Sequence, residues 1–290
     1  MRLLHLSDLH VSRDLGPNAQ GVDARAVLAQ LLHDCRRLAD IGLVLVSGDV
    51  ADDGSRQGYT DALDLVESFA RQHGAAQAWC VGNHDARETF SAVLGTGHRD
   101  RDGQDVGQPA TATGCAATSQ TNGVRVVTLD SLVPGEVFGR IGPEQLDWLR
   151  AVLAQPAAAG TVVALHHPPI SVSPQWAAAS LQDAATLADV LRGSDVQAVL
   201  CGHVHAQISG VFAGVPVWVG PGVITRIDLT APHGLVRAVR GAAATVVDLG
   251  GPHSPLFHVL HARDSHAGEQ VYLADGATWQ HVDDEEEPRP

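Results

Sequence analysis

The sequence predicts an α/β fold whose C-terminal part is antiparallel. Short apolar runs alternate with helical patterns over roughly the first 200 of the 290 residues. The runs are continuous, as in strands that are covered on both faces. Those at 43–46, 78–81 and 161–165 end in polar residues. Because ligands of open α/β sheets bind outside the carboxyl ends of the strands, these ends are candidate functional positions.

The elements follow one another in a regular order. A first apolar strand covers 3–6, and helical patterns with one apolar face are predicted at 22–38, 59–70, 142–153 and 183–191. Buried strands are predicted at 43–46, 78–81, 124–130, 161–165 and 196–201. After residue 206 the pattern becomes antiparallel, with segments near 207–212, 215–219, 244–249 and 256–261 that Gly and Pro separate.

Residues 1–282 are predicted to form a single domain, without an internal repeat. Residues 95–123 have little apolar periodicity, and we expect a long surface excursion there that serves as a lid or a subunit contact. Residues 223–282 are the C-terminal, mostly β part. Residues 283–290 form an acidic run that we expect to be disordered.

The composition is that of a soluble globular chain, with 44% hydrophobic and 18% charged residues. No apolar run is long enough to span a membrane, and polar residues interrupt any signal-type segment at the N-terminus, so a cytoplasmic location is expected. The formal net charge of −14 disfavours binding of long nucleic acid, unless metal ions reverse the field locally. The four cysteines lack Cys-x-x-Cys spacing, which favours buried free thiols.

Five polar motifs follow predicted strands. They are Asp8-x-His10, Gly48-Asp49, Gly82-Asn83-His84-Asp85, His166-His167-Pro168-Pro169 and Gly202-His203-x-His205. Residues two apart on a strand point to the same face, so the first and last motifs each offer a pair of donors. Taken singly, each motif has a structural alternative. Asp8 can be a helix N-cap, His10 a surface histidine, and Asp49 a turn residue.

Taken together, the motifs predict a metal site for two ions. The seven candidate ligands are Asp8, His10, Asp49, Asn83, His166, His203 and His205. They are too many for one tetrahedral ion and suit two octahedral ions that share a carboxylate. Imidazole, carboxylate and amide donors suit Mn, Fe, Zn or Co better than Ca or Mg. Two such ions, about 3.5–4 Å apart, can generate hydroxide and clamp the attacking and leaving oxygens of an in-line displacement at phosphorus.

Over roughly residues 1–220, the series of motifs resembles the calcineurin-like metallophosphoesterase superfamily. The spacing and the His-His-Pro-Pro motif are most similar to bacterial class III cyclic nucleotide phosphodiesterases and their glycerophosphodiesterase relatives. The resemblance implies a four-layer αββα sandwich of two mixed sheets flanked by helices, with a dinuclear metal site at the carboxyl-end edge of the strands.

The resemblance also implies a role for each site residue. Asp8, His10 and His205 would bind one ion, Asn83, His166 and His203 would bind the other, and Asp49 would bridge the two. His84 matches the catalytic position that contacts the substrate phosphate; the alternative is a hydrogen bond to Asp8 or Asp49. His167 and Asp85 would lie behind the ligands, with Asp85 orienting His84 or capping the next helix.

The activity predicted from these features is metal-dependent hydrolysis of small phosphodiesters. The first hypothesis is cleavage of 3′,5′-cyclic AMP or 2′,3′-cyclic nucleotides to nucleoside monophosphates by in-line attack of a metal-bound hydroxide. A glycerophosphodiesterase or phosphomonoesterase of the same superfamily is the alternative. If the protein were a non-catalytic scaffold that keeps the fold for protein binding, some metal-ligand residues should be missing, whereas all seven are present. The cofactors would be two divalent or mixed-valence ions of Mn, Fe or Zn.

Substrate selection is assigned to the loops around these motifs, at 13–21, 52–58, 171–176 and 221–228. Trp176 could stack on a nucleobase or serve only in packing. A homodimer is compatible with the resemblance, and residues 95–123 or the C-terminal strands could supply its contact. Neither long nucleic acid nor a membrane is an expected partner.

Overall fold

The computed structural model describes residues 1–111, 114–171, 174–276, 278 and 280–282. The helices are α1 (Ala24–Cys35), α2 (Arg56–His73), α3 (Arg87–Leu94), α4 (Pro143–Leu153) and α5 (Ala184–Leu191). The first strands are β1 (Arg2–Leu6), β2 (Ile41–Ser47), β3 (Ala76–Cys80), β4 (His98–Arg99), β5 (Gln108–Pro109), β6 (Ala117–Thr121), β7 (Val124–Thr128) and β8 (Thr161–Ala164). The others are β9 (Val196–Cys201), β10 (Ile208–Phe212), β11 (Val215–Val219), β12 (Arg226–Asp228), β13 (Leu235–Val239), β14 (Ala243–Asp248), β15 (Leu256–His261) and β16 (Gln270–Asp275).

The first sheet has six strands in the order β15-β14-β1-β2-β3-β4. Strands β1, β2 and β3 are parallel, whereas β14 runs antiparallel to β1. Side chains alternate between the two faces along each strand. Leu4 and Leu6 of β1 therefore pack outward with Leu31 of α1 and Val66 of α2, while Leu3 faces inward.

The second sheet has seven strands in the order β10-β11-β9-β8-β7-β6-β5. Strands β7, β8, β9 and β11 are parallel neighbours, and both edges of the sheet are antiparallel. Its outer face is covered by α4 and α5 through Leu149 and Leu187, which pack with Val163 and Val199. The two sheets bury a third apolar cluster between them. The predicted αββα sandwich of two mixed sheets is therefore confirmed.

Several elements were not predicted from the sequence. Residues 95–123 were expected to be a surface excursion without regular structure, but they contain β4, which extends the first sheet, and β5 and β6, which extend the second. Strands β4 and β5 are two-residue edge strands, and β6, next to the edge, is largely polar, so none of the three carries an apolar period. A third sheet, β12-β13-β16, lies within the C-terminal part.

All four cysteines are free and buried, which confirms the expectation for them. Among the described residues, no helix combines the length and apolar character needed to cross a bilayer. The acidic run at 283–290 lies outside the described residues.

Candidate metal centre

The structure brings all seven predicted donors to one edge of the sandwich, and each sheet supplies part of the set. The loops after β1, β2 and β3 carry Asp8, His10, Asp49 and Asn83, and the loops after β8 and β9 carry His166, His203 and His205. Contacts cross between the sheets. The His203 backbone N–H donates to both Asp8 carboxylate oxygens at 3.0 and 3.2 Å, and His166 Nδ1 donates to the Ser47 carbonyl at 2.8 Å.

Tight turns after the strands aim these side chains. Five of the donors have a left-handed backbone, namely Asp8 (φ 58°), His10 (45°), Asp49 (48°), His203 (73°) and His205 (50°). Asp and His tolerate this conformation better than most residues, although it costs free energy. Backbone hydrogen bonds from Asp8 N to Gly48 O (3.1 Å) and from His10 N to Asp49 O (2.9 Å) hold the first two turns together.

The first donor group consists of Asp8, His10 and His205. His205 Nε2 lies 3.3 Å from Asp8 Oδ1 and 3.3 Å from His10 Nε2. The other ring nitrogens have partners: His10 Nδ1 contacts Asp52 Oδ1 at 2.8 Å, and His205 Nδ1 contacts Thr225 Oγ1 at 2.8 Å. Both Nε2 atoms therefore point into the group, which is how histidine ligands are usually oriented by their surroundings.

The second group consists of Asn83, His166 and His203. His166 Nε2 lies 3.1 Å from Asn83 Oδ1. His203 Nε2 is buried and has no hydrogen-bond partner in the described part of the chain. His167 lies beside this group, with Nδ1 on Ser131 Oγ at 2.8 Å and its own Nε2 buried and unpartnered among the described residues. A buried imidazole nitrogen without a partner raises the free energy of the fold unless a bound ion or ligand supplies the missing interaction.

Asp49 joins the two groups. Its Oδ2 lies 3.5 Å from His10 Nε2 and 3.2 Å from His166 Nε2, so one oxygen faces a donor of each group. Its Oδ1 accepts the His84 backbone N–H at 2.9 Å. This carboxylate is therefore within 3.5 Å of a nitrogen from each donor group.

His84 stands at the pocket side of the donors. Its ring packs edge-on against His10 at 4.7 Å between centroids, and its Nδ1 lies 3.2 Å from Asp52 Oδ1. Burial lowers the pKa of His84, but the hydrogen bond to Asp52 and the charge of Asp49 outweigh it, and the pKa is raised to about 9. Asp52 holds both His10 and His84, yet the sequence motifs did not single it out. Its position three residues after Asp49 was the available signal.

Asp85 has a different role from the one expected. Its buried carboxylate accepts backbone N–H groups from Val50, Ala51 and Gly82 at 2.8–3.2 Å. It neither contacts the His84 ring nor caps α3, whose N-cap is Ala86 without a side-chain hydrogen bond. The alternative that Asp85 caps the helix was wrong, because the turns after β2 and β3 present their unpaired N–H groups to it. Burial and the charge of Asp49 raise the pKa of Asp85 to about 6.

Charges inside the centre are strongly coupled. Burial alone would raise the pKa of Asp49, but the charge of His166 holds it well below its usual range. Burial lowers the pKa of His166, but the negative charge of Asp49 and its hydrogen bond outweigh burial, and the pKa of His166 is raised to about 9. Burial, followed by the charge of His166, lowers the pKa of His203 to about 3. Ionised carboxylates beside imidazoles are the donors that a divalent cation prefers, and such a cation competes with the proton on His166.

Glycines allow the donors to approach one another. A Cβ on Gly48 would lie 2.5 Å from His166 Nδ1, one on Gly82 would lie 2.2 Å from Asp49 Oδ1, and one on Gly202 would lie 2.8 Å from Asp8 Oδ2. Real Cβ atoms do not make such contacts. The glycines, the unpartnered His203 Nε2 and the mixed N and O donors all fit a pair of divalent ions.

A pocket of about 410 Å³ opens over the donors. The polar residues that line it are His10, Asp49, Asp52, Asn83, His84, His203 and His205. Its apolar and aromatic lining includes Val22, Val137, Trp176, Ile227, Val271 and Tyr272, and Asn18 and Gln20 add two amides. Its size is within the range of pockets that enclose a small organic molecule.

Comparisons with known proteins agree with this geometry. The model of the family described as calcineurin-like phosphoesterase matches residues 1–207. A probable cyclic nucleotide phosphodiesterase of Rhodococcus erythropolis is 39% identical over 242 residues, which cover 83% of this chain and 76% of that protein. A cAMP/cGMP dual specificity phosphodiesterase of Mycobacterium tuberculosis is 37% identical over 245 residues, covering 83% and 73%. The crystal structure of a dimetal phosphatase from Danio rerio shares the fold, with a TM-score of 0.57 and 18% identity over 89% of this chain and 98% of that chain.

Proposed function

We infer the activity from one premise: this chain belongs to the calcineurin-like phosphoesterase family, whose model covers residues 1–207. We propose that it is a metal-dependent phosphodiesterase that hydrolyses cyclic nucleotides to nucleoside monophosphates. Two relatives named as cyclic nucleotide phosphodiesterases are 39% and 37% identical, each over 83% of this chain. The observation that carries the proposal is the place of Asp49, whose Oδ2 faces both His10 and His166.

The two donor groups would hold two divalent ions. Asp8, His10 and His205 would bind the first ion. Asn83, His166 and His203 would bind the second ion, and Asp49 would bind both ions. When bound, such ions supply Lewis acidity, lower the pKa of a water molecule and neutralise the charge of a phosphodiester. Mn, Fe and Zn are all compatible with these donors, so the identity of the metals stays a prediction.

The protein's own residues orient the reacting groups. The Asp52 carboxylate lies 3.2 Å from His84 Nδ1, keeps the ring turned toward the pocket and favours its protonated form. A protonated imidazole there can donate a hydrogen bond to the phosphate or a proton to the departing oxygen. Thr225 and Ser47 fix the rings of His205 and His166 through their Nδ1 atoms.

A small diester suits the pocket and the charge of the chain. The formal net charge of −14 repels long polyanions, while bound ions would provide positive charge only at the centre. A glycerophosphodiesterase or a phosphomonoesterase remains the alternative within the family. The convergence of all seven donors argues against a non-catalytic scaffold. A cytoplasmic location and a homodimer stay predictions.

A substrate panel tests the proposal. Protein reconstituted separately with Mn²⁺, Fe²⁺ or Zn²⁺ is assayed on 3′,5′- and 2′,3′-cyclic nucleotides, glycerophosphodiesters and phosphomonoesters. We expect the highest kcat/KM on a cyclic nucleotide, and faster cleavage of phosphomonoesters would contradict it. Asp49→Ala and Asn83→Ala should abolish most turnover with the fold intact, whereas Asp189→Ala, a change at an exposed carboxylate of α5, should not. Normal turnover in Asp49→Ala would refute the assignment of the bridging ligand.

A further inference from the structure

Part of the apolar and aromatic lining of this pocket comes from the C-terminal part of the chain. Ile227, Val271 and Tyr272 belong to β12 and β16 of the third sheet, and all three lie beyond residue 207, where the family match ends. A backbone hydrogen bond of 2.9 Å from Ile227 N to His205 O joins this sheet directly to the ligand loop. The third sheet is thus fixed relative to the donors.

A β-bulge turns two consecutive side chains of β16 into the pocket. Tyr272 pairs with Ala238 and Gln270 pairs with Val239, so Val271 is an extra residue opposite β13. On a regular strand Val271 and Tyr272 would face opposite sides, whereas here both line the pocket. Bulges near active sites commonly re-aim side chains in this way.

The loop at 16–22 also lines the pocket, through Asn18, Gln20 and Val22, and it is hydrogen-bonded to the C-terminal part. Asn18 Oδ1 accepts the backbone N–H groups of Gln20 at 3.1 Å and of Val22 at 2.9 Å, so its amide N–H₂ is the group left to donate. The Arg240 guanidinium donates to the Gly21 carbonyl. Asn18, Gln20 and Tyr272 thus line the same pocket, and Gln20 and Tyr272 also line a neighbouring one.

The side chains that line the pocket away from the donors limit which part of a substrate can bind there. The acids and histidines that line the pocket are all donors of the metal centre or contact them, and no other lining residue is charged at neutral pH. A second phosphate would find no cationic side chain there. A flat, neutral heterocycle can lie against aromatic and apolar side chains and use its polar edge toward amides.

We propose that Tyr272, Val271 and the Asn18–Gln20 loop form a nucleobase subsite, so that the C-terminal sheet selects nucleoside phosphodiesters over diesters without a base. This inference rests on the proposed function, because it places the phosphate at the metal centre. Base–aromatic stacking contributes about 10-fold or more to affinity by alanine substitution. Tyr272 is a specificity residue here and takes no part in bond cleavage.

The experiment measures binding separately from turnover. Calorimetry on Mn²⁺-loaded protein compares AMP with ribose 5-phosphate, which is AMP without its base. We expect wild-type protein to bind AMP about 10-fold more tightly, and Tyr272→Ala to remove most of that difference while leaving the Kd of ribose 5-phosphate unchanged. Tyr272→Phe keeps the ring and should keep the preference. Gln20→Ala, on an exposed loop, should weaken AMP binding by a smaller factor.

Two results would overturn the subsite: equal affinities of the wild-type protein for AMP and ribose 5-phosphate, or an equal loss of both in Tyr272→Ala. Leu229→Ala is the control, because Leu229 is exposed and lies outside this pocket. Hydrolysis of cyclic AMP by the same wild-type preparation reports on the proposed function independently. A base preference without such hydrolysis would support the subsite and refute the activity.

Discussion

Substitution of Gly82 offers a direct test of how closely the donors are packed. An alanine Cβ at this position would lie 2.2 Å from Asp49 Oδ1, 2.9 Å from Asp49 Cγ and 2.5 Å from the Asp49 backbone nitrogen. Ordinary van der Waals contact begins at 3.4 Å. Because one of the clashing atoms belongs to the backbone, rotation of the Asp49 side chain cannot relieve the overlap, and the turn itself must move by about 1 Å.

A displacement of that size at a reacting centre costs about 100-fold in rate. We therefore expect Gly82→Ala to lower kcat/KM for the best diester of the panel by about 100-fold. Since Asp49 faces both donor groups, the affinity for both metal ions should fall, which metal analysis after dialysis measures. The backbone of Gly82 is not in the left-handed region, so the effect is steric and not conformational.

Gly251→Ala is the matched control. A Cβ on Gly251 meets no atom within 4 Å, and its backbone is also outside the left-handed region. This variant should keep its activity and its metal content. The reasoning fails if Gly82→Ala retains kcat/KM within about a factor of two and still holds its metal ions after dialysis.

Three further outcomes are expected. Asp130→Asn removes the buried charge that pairs with Arg87 Nε at 2.6 Å and should lower the free energy of unfolding in urea by about 3 kcal/mol, with metal content unchanged. Burial lowers the pKa of His98 to about 4 from 6.5, so the unfolded chain gains the proton first. The free energy of unfolding is therefore unaffected by His98 above about pH 6.5. It falls by about 3 kcal/mol as the pH is lowered toward 4, and His98→Gln should reduce this fall. Chelation should lower the Tm, and Mn²⁺ at about 100 times its Kd should restore about 2.7 kcal/mol of stability for each bound ion.

Each of these outcomes has a result that contradicts it. An unchanged urea midpoint in Asp130→Asn would show that the pair with Arg87 contributes nothing. Parallel stability–pH curves for wild type and His98→Gln would show that His98 is not held neutral. A Tm that chelator leaves unchanged in protein shown to contain metal would contradict binding of the ions by the folded chain.

Much of the fold could be predicted because the buried strands are continuous apolar runs. Strands such as 43–46 and 161–165 stood out for that reason, and the polar motifs that end them located all seven donors. Asp52, Ser47 and Thr225 could not be found in this way, because their roles depend on which loops meet at the sheet edge. Asp52 in particular looks like any acidic loop residue until His10 and His84 are placed beside it.

The C-terminal part shows the opposite case. Strand β12 has only three residues, and the extra residue at Val271 in β16 breaks the alternation from which a strand is recognised. No local pattern indicates that Tyr272 lies near residues 18–20, some 250 positions earlier in the chain. The elements that were hardest to predict are those that shape the pocket, because their positions depend on tertiary contacts.

The division of the donors between two sheets has a consequence for folding. Asp8 and His203, which are joined by a hydrogen bond, are 195 residues apart, and His205 is two residues further along. Neither donor group can be complete before β9 has been synthesised and the second sheet has docked on the first. Ion capture then becomes one of the last events of folding, so that metal loading in a refolding experiment reports the moment when the sandwich closes.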